Sequence, residues 1–208
     1  MTSPRNNPAP RLERSFYRRE VRQVARALLG QRLVRLHEGR RLAGLIVETE
    51  AYLGVIDRAA HTWNGRRTAR NESMWQEAGH LYVYFTYGMH HCLNVVAGRA
   101  GLPVAVLIRA LEPVEGVEAM RRRRSAARDH TGLCSGPAKL TQALAVDRAL
   151  DGDDLTKSGR IWIEQERRRS LPASRIRVTP RIGIAYAEDW ADRPLRFVVD
   201  GNPHVSRR

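Results

Sequence analysis

The sequence predicts an α+β fold: a single compact domain on a mostly antiparallel, curved sheet with helices around it. Three observations carry that expectation. Apolar and polar residues alternate with a period of two in a series of short segments. Helical periodicity is confined to three stretches, at 18–29, 113–124 and 136–146. Strands and helices do not follow one another in the βαβ rhythm of a parallel sheet. The 208 residues suffice for one core, and neither an internal repeat nor a linker divides them.

Residues 1–14 are rich in Pro, Asn and Arg and lack periodicity, so they are expected to form a mobile basic tail, with the domain spanning 15–208. Val21, Val24, Ala25, Leu28 and Leu29 recur at helical spacing, with Gly30 placed to end the helix. Two strands, 32–36 and 41–52, are joined through Glu38-Gly39. Residues 54–77 read as loop with short helical turns, one of them starting at Asn71 as an N-cap. Strands follow at 80–87, 92–96 and 104–111, with Tyr87-Gly88 as a turn tip and the apolar run Val104 to Ile108 central. Pro113 is placed to open a helix that runs through Met120 into Arg121 to Arg124. A helix over 136–146 and strands at 161–163, 176–178 and 195–199 complete the chain.

Charge narrows the partners. There are 36 basic and 22 acidic residues, a net +14, and the only lysines are Lys139 and Lys157. Guanidinium forks fit phosphate oxygens, so a polyanion is the natural partner. Arg in place of Lys follows genome composition, but the excess of positive charge does not. No basic amphipathic helix points to a membrane surface, and no apolar run is long enough to span one. No signal peptide opens the chain, and Cys92 and Cys134 lack metal or redox spacing, so a soluble intracellular protein with two free thiols is expected.

Chemistry concentrates between Leu45 and Asn94. On a strand, Glu48, Glu50 and Tyr52 share one face, opposite Val47 and Thr49. A carboxylate that activates water must be ionised near neutral pH, and Arg109, at the end of the central strand, can supply a compensating charge. Spacing alone leaves Glu48 and Glu50 as solvated strand-end residues. Tyr82 and Tyr84 share a face. Propensity favours a core place for Tyr82, leaves Tyr84 even, and exposes Tyr87 at its turn. His90-His91-Cys92 cannot converge on one ion and has no second cluster, so neither metal nor cofactor is expected.

Ordered motifs then resemble one family. Val47-Glu48-Thr49-Glu50-Ala51-Tyr52-Leu53-Gly54, Ala60-His61 and Arg66-x-Thr68-x-Arg70-Asn71 are similar to the alkyladenine (3-methyladenine) DNA glycosylases. So are Leu81 to Tyr84, Tyr87-Gly88-Met89, Asn94, Leu107 to Pro113, Leu133 to Leu140, Arg181 to Ile184, Trp190 and Pro194 to Phe197. The likeness runs from about the first helix to near the C-terminus. It implies a mixed α/β domain with a protruding hairpin that inserts into DNA, and a monomeric, monofunctional enzyme of base excision repair. Such an enzyme turns a damaged purine out of duplex DNA and hydrolyses its N-glycosidic bond. By motif, Glu50 activates water with help from Arg109 and the backbone of Ile182. Tyr52, His61 and Tyr84 enclose the base, the His61 N–H reads its edge, and Asn94 excludes undamaged guanine. Tyr87 and Met89 enter the stack, while Arg66, Arg70 and Lys139 are candidates for the DNA backbone. His90 and His91 replace the bulkier aromatics of better-known relatives, which bears on the pocket mouth. In a bacterial source the place of work is the cytoplasm with the nucleoid. Two other functions fit parts of the sequence: a nucleic-acid-binding module without catalysis, and a hydrolase of free nucleosides.

Overall fold

A computed structural model describes residues 9–206. Two short helices come first, α1 (Arg14–Tyr17) and α2 (Val21–Leu28), followed by strands β1 (Arg32–His37) and β2 (Arg40–Tyr52). The excursion 53–80 holds only 3-10 turns and leads into the pair β3 (Leu81–Thr86) and β4 (His90–Ala97). The long strand β5 (Val104–Glu115) is followed by α3 (Val117–Arg123) and α4 (Pro137–Ala143). Three short strands close the chain: β6 (Ile161–Glu164), β7 (Ile176–Thr179) and β8 (Arg196–Val199).

All eight strands join one curled antiparallel sheet in the order β3-β4-β5-β2-β1-β6, with β8 between β2 and β7. This is the expected α+β domain. β5 lies between β4 and β2, as its unbroken apolar run implies, and its residues Val104 to Leu111 are all buried. β2 is the hub. Its first half pairs with β1, its second half with β8, and its other edge with β5 throughout. The β2–β5 register shifts three times, and the two shifts between Ile46 and Thr49 leave Val47 and Arg109 with no Cα partner on the facing strand. Such bulges bend a strand and re-aim the side chains beside them. Here they fall between Ile46 and Thr49, beside Glu48 and Glu50.

Helix α2 buries Val21, Val24, Ala25 and Leu28 against the sheet, and Thr49 donates its hydroxyl hydrogen to the Ala25 carbonyl at 2.9 Å. Glu20 caps this helix by accepting from the Arg22 and Gln23 amides. Three residues, 87–89, connect Thr86 to its strand partner His90, with positive φ at both Tyr87 (52°) and Gly88 (67°) and the Met89 N–H donating to the Thr86 carbonyl at 3.3 Å.

Three expectations need correction. Pro113 does not open a helix: it lies in β5, opposite Gly44 at a register shift, where its missing N–H breaks no regular ladder. The strand ends only at Gly116, whose φ of 72° turns the chain into α3. Asn71 precedes a 3-10 turn without capping it; its amide instead donates to the His61 and Arg66 carbonyls and accepts from the Thr68 N–H. Of the tail expected over 1–14, residues 1–8 lie outside the described residues, and the rest is docked. Leu12 is buried and donates its N–H to Ile163, Arg11 bridges to Glu164, and Arg14 pairs with Asp154. Leu12 contributes to the core in a segment too short to show a period.

Candidate active site

Tyr52, Ala105, Leu107 and Arg109 come from the β2–β5 pair, and Tyr82, Tyr84, Cys92 and Asn94 from the β3–β4 pair. The register sets Tyr82 opposite Asn94 and Tyr84 opposite Cys92, so these four share a face. Except for the bulges, alternation does the rest. Together with the loops at 59–61 and 182–186 they line a cavity of about 290 Å³.

Two carboxylates lie beneath it, and neither is a solvated strand-end group: Glu48 and Glu50 are both 0% exposed. Glu48 is tied down on all sides. Its Oε1 accepts from Arg109 Nε at 2.9 Å and Arg196 Nε at 2.7 Å, and Ser206 donates to it from both its amide and its hydroxyl. Glu50 has fewer partners. Its Oε1 accepts from the Ile182 N–H at 2.8 Å and lies 3.2 Å from Arg109 Nη1, while its Oε2 accepts from the Tyr52 hydroxyl at 2.9 Å. Burial pushes the Glu50 carboxyl above the ordinary range, and Arg109, the Ile182 amide and Tyr52 offset that only in part. Burial acts on Glu48 too, but Arg109, the Ser206 amide and Arg196 outweigh it and hold Glu48 below the ordinary range. Two like groups side by side are thus driven in opposite directions by their partners.

The walls are aromatic. Tyr82 and Tyr84 stack with centroids 5.2 Å apart, and His61 meets Tyr84 edge-on at 4.6 Å. Tyr82 is buried, as its propensity suggests, among Met74, Val96 and Ala105, and its hydroxyl lies 2.6 Å from His61 Nδ1. Among the described residues the His61 N–H has no acceptor. His61 is exposed on its open side, but the ring's loss of water against this wall lowers its imidazole to about 4, and Arg70 and Arg66 add repulsion of the charged form. The ring is therefore neutral at physiological pH. By NMR its imidazole should stay neutral at pH 6 and titrate near 4; a midpoint at the ordinary value for histidine, about 6.5, would contradict this packing. Because the folded value is depressed, His61 contributes stability that is present above the unfolded value and lost as pH falls toward 4.

Other expected residues lie on the β3–β4 turn, in the cavity wall and on the surface. Tyr87 is 84% exposed and Met89 69%, both at the β3–β4 turn. Arg66 and Arg70 are exposed, and Arg70 donates to the Phe85 carbonyl while its guanidinium sits 5.5 Å from the Tyr84 ring. Asn94 is buried and donates its amide to the Tyr82 carbonyl at 3.0 Å. Lys139 is exposed, with Ser135 Oγ at 3.4 Å, and does not line the cavity. Lys157 is also on the surface. What Ile182 offers Glu50 directly is its N–H. His90 and His91 are half-buried at the start of β4, and His91 tilts against Phe85. Among the described residues no His, Cys, Asp or Glu group is arranged to hold a metal ion, and no helix is long and apolar enough to cross a membrane.

Sequence reasoning missed several members. Arg181 and Asp57, both fully buried, form a two-pronged pair at 2.6 and 2.9 Å. Arg181 also reaches the Ala51 carbonyl and lies 4.7 Å from the Tyr52 ring, while Asp57 accepts from the Leu53 and Ala59 amides. The pair thus ties three cavity segments together, across 124 residues of sequence. Arg196, Ser206 and Tyr186 were also missed. Of these, Arg181 and Arg196 lay inside quoted motifs, and neither had been singled out.

Two buried carboxylates beneath an aromatic cavity, in a protein of net charge +14, suit a site for a flat ring drawn out of a polyanion. That is the class of site the fold builds. Comparison with known proteins places it. The methylpurine-DNA glycosylase (MPG) family profile matches residues 15–203, and the chain belongs to that family. It is 47% identical over 205 residues to the DNA-3-methyladenine glycosylase of Mus musculus, covering 94% of this chain and 61% of the mouse protein. The human protein of the same name is 46% identical, with 94% and 68% covered. A Methanocella arvoryzae protein provisionally named as a 3-methyladenine DNA glycosylase is 48% identical, with 96% and 97% covered.

Proposed function

We propose that this DNA repair glycosylase turns alkylated or deaminated purines out of duplex DNA and hydrolyses their N-glycosidic bond with water activated by Glu50. The class intended is 3-methyladenine, 7-methylguanine, hypoxanthine and ethenoadenine. The observation that carries the reading is Glu50 itself, fully buried under the cavity with its carboxyl raised and Arg109 beside it. A protein that only binds DNA gains nothing from such a charge, whose desolvation is costly. Water gives its proton to Glu50, its oxygen attacks C1′ of the sugar, and the bonding pair leaves with the base. A cationic alkylated purine leaves readily, so one carboxylate suffices. Arg109 keeps Glu50 ionised in the fraction that reacts, and the Ile182 N–H fixes one oxygen so that the carboxylate cannot turn. The Ile182 carbonyl is proposed to hold the water.

Extrusion costs a few kcal/mol and is cheapest for damaged bases. Stacking of roughly 1–3 kcal/mol per base offsets it, here through Tyr52 on one side and His61 with Tyr84 on the other, and a cationic ring gains further over electron-rich faces. The free His61 N–H reads the base edge, and Asn94 stands where the exocyclic amine of guanine would intrude. Tyr87 and Met89 fill the gap left in the stack, and Arg66, Arg70 and Lys139 meet phosphates. One chain supplies every residue named, so a monomer is sufficient. A hydrolase of free nucleosides would have no use for a basic surface or an exposed Tyr87.

The test is base release from duplexes each carrying one defined lesion, beside the matching free nucleoside. Release from duplex alone is expected; equal or faster hydrolysis of the nucleoside would select the other reading. Tyr87→Ala should slow single-turnover release from paired duplex at least tenfold, because extrusion then lacks its wedge. Release from single strands should change little. Equal losses on both substrates would place Tyr87 in the pocket rather than in the stack.

A further inference from the structure

Tyr186 has no part in the chemistry above, yet its ring lines the same cavity while 67% exposed. Exposure of a single tyrosine is ordinary; its mounting is not. Ile184, Ala187 and Trp190 on either side are buried in a small cluster, so the segment is anchored and the ring between them is held outward. Two residues on, Glu188 has φ 53° and ψ −128°, a backbone that side-chain-bearing residues rarely adopt. Arg58 holds it there with contacts at 2.6 and 2.7 Å. The Tyr186 hydroxyl reaches back to the Ala59 carbonyl at 3.4 Å, a long and weak hydrogen bond. It spans the rim from the segment that begins at Ile182 to the loop that carries His61. A strained anchor and a loose latch are features of a side chain that meets something entering the cavity.

We infer that Tyr186 is a further substrate-contacting residue, a second tyrosine at the mouth that lies against the extruded nucleotide and holds it outside the stack. This deepens the proposed function and rests on it. Tyr87 acts on the duplex and fills the vacated place; Tyr186 acts on the nucleotide after it has left. The long bond to Ala59 is readily exchanged for an acceptor on the nucleotide, such as a phosphate oxygen. Lesions that stack strongly in DNA depend most on this contact, because their extruded state is least populated. Tyr186 therefore sets selectivity between lesions while leaving the bond-breaking step to Glu50.

The experiment compares the unaltered protein with Tyr186→Ala and Tyr186→Phe on a duplex bearing one ethenoadenine, whose fluorescence reports extrusion. Base release is measured on the same duplex paired and single-stranded, and melting temperatures are recorded for all three proteins. Tyr186→Ala should lower the extruded fraction and the affinity for lesion duplex by about 5- to 100-fold, the range seen when one aromatic contact to a base is removed. Release from the single strand should fall much less, and the melting temperature should hold. Tyr186→Phe keeps the ring and should retain most of the effect. Extrusion, affinity and release all unchanged in Tyr186→Ala would overturn the inference while leaving the function standing. Equal losses on single and double strands would overturn it too, by making Tyr186 a general part of the pocket. No base release by the unaltered protein would overturn the function, and this inference with it.

Discussion

Glu50→Gln should lose base release by about 10²- to 10⁴-fold, the usual contribution of a positioned proton acceptor, while still binding lesion duplex. Glutamine has the shape of glutamate; its amide oxygen can accept from the Ile182 N–H, and its NH2 group then faces the Tyr52 hydroxyl, which can turn to accept from it. What it cannot do is take a proton from water. The fold should tolerate the change. Glu48, Glu50, Arg109 and Arg196 balance two charges against two, and the variant leaves one net positive charge beside a group that was costly to bury. Melting temperature and lesion affinity serve as controls. Single-turnover release near the parent rate would remove Glu50 from the reaction.

Arg109→Leu should harm both stability and chemistry. Arg109 touches both carboxylates, at 2.9 and 3.2 Å, and all three side chains are nearly or fully buried. Removing one partner of a buried ionic group costs about 3–5 kcal/mol, read here as a lower urea midpoint. The two carboxylates do not suffer alike. Glu48 keeps Arg196 and both Ser206 donors, so it stays ionised. Glu50 keeps only the Ile182 amide and the Tyr52 hydroxyl, so its carboxyl, already raised by burial, rises further. Base release needs the ionised form, and its rate rises as pH rises through the Glu50 value. The variant's acid limb should therefore move to higher pH, with partial recovery under alkaline conditions. Arg109→Lys keeps the charge and should show a smaller shift in the same direction. An acid limb that stays in place in a folded variant would mean that Arg109 does not govern Glu50.

The local pattern of the strands was legible, and the site behind it much less so. Period-two alternation located β1 to β5 and set Glu48, Glu50 and Tyr52 on one face, because alternation is a property of the strand alone. What covers that face is not local. Arg196 and Ser206 reach Glu48 from 148 and 158 residues away, and Ile182 reaches Glu50 from 132. Spacing therefore suggested solvated carboxylates where the fold buries them completely. The bulge that leaves Arg109 without a strand partner has no signal in a regular repeat, and Pro113 misled because its usual place at a helix start competes with a strand irregularity. Of the candidate residues that motif likeness singled out, Tyr52, His61, Tyr84, Tyr87, Asn94, Arg109 and Ile182 line one cavity, whereas Met89, Arg66, Arg70 and Lys139 do not. Tyr186 escaped both approaches: it lies just past a motif, in a 3-10 segment with no period to expose it.

The most direct measurement follows the DNA strand itself. A duplex with one labelled strand and one 3-methyladenine-class lesion is incubated with the protein, and samples are divided between neutral conditions, hot alkali and borohydride. Hydrolysis by Glu50-activated water predicts free base, a strand that stays intact until alkali cleaves it at the lesion, and no covalent protein–DNA adduct. A lyase would need an amine to attack the sugar, and Lys139 and Lys157 are the only lysines, both on the surface. Cleavage at neutral pH with a trapped adduct that disappears in Lys139→Ala would contradict the water mechanism, and no alkali-labile site on any lesion duplex would contradict base excision altogether.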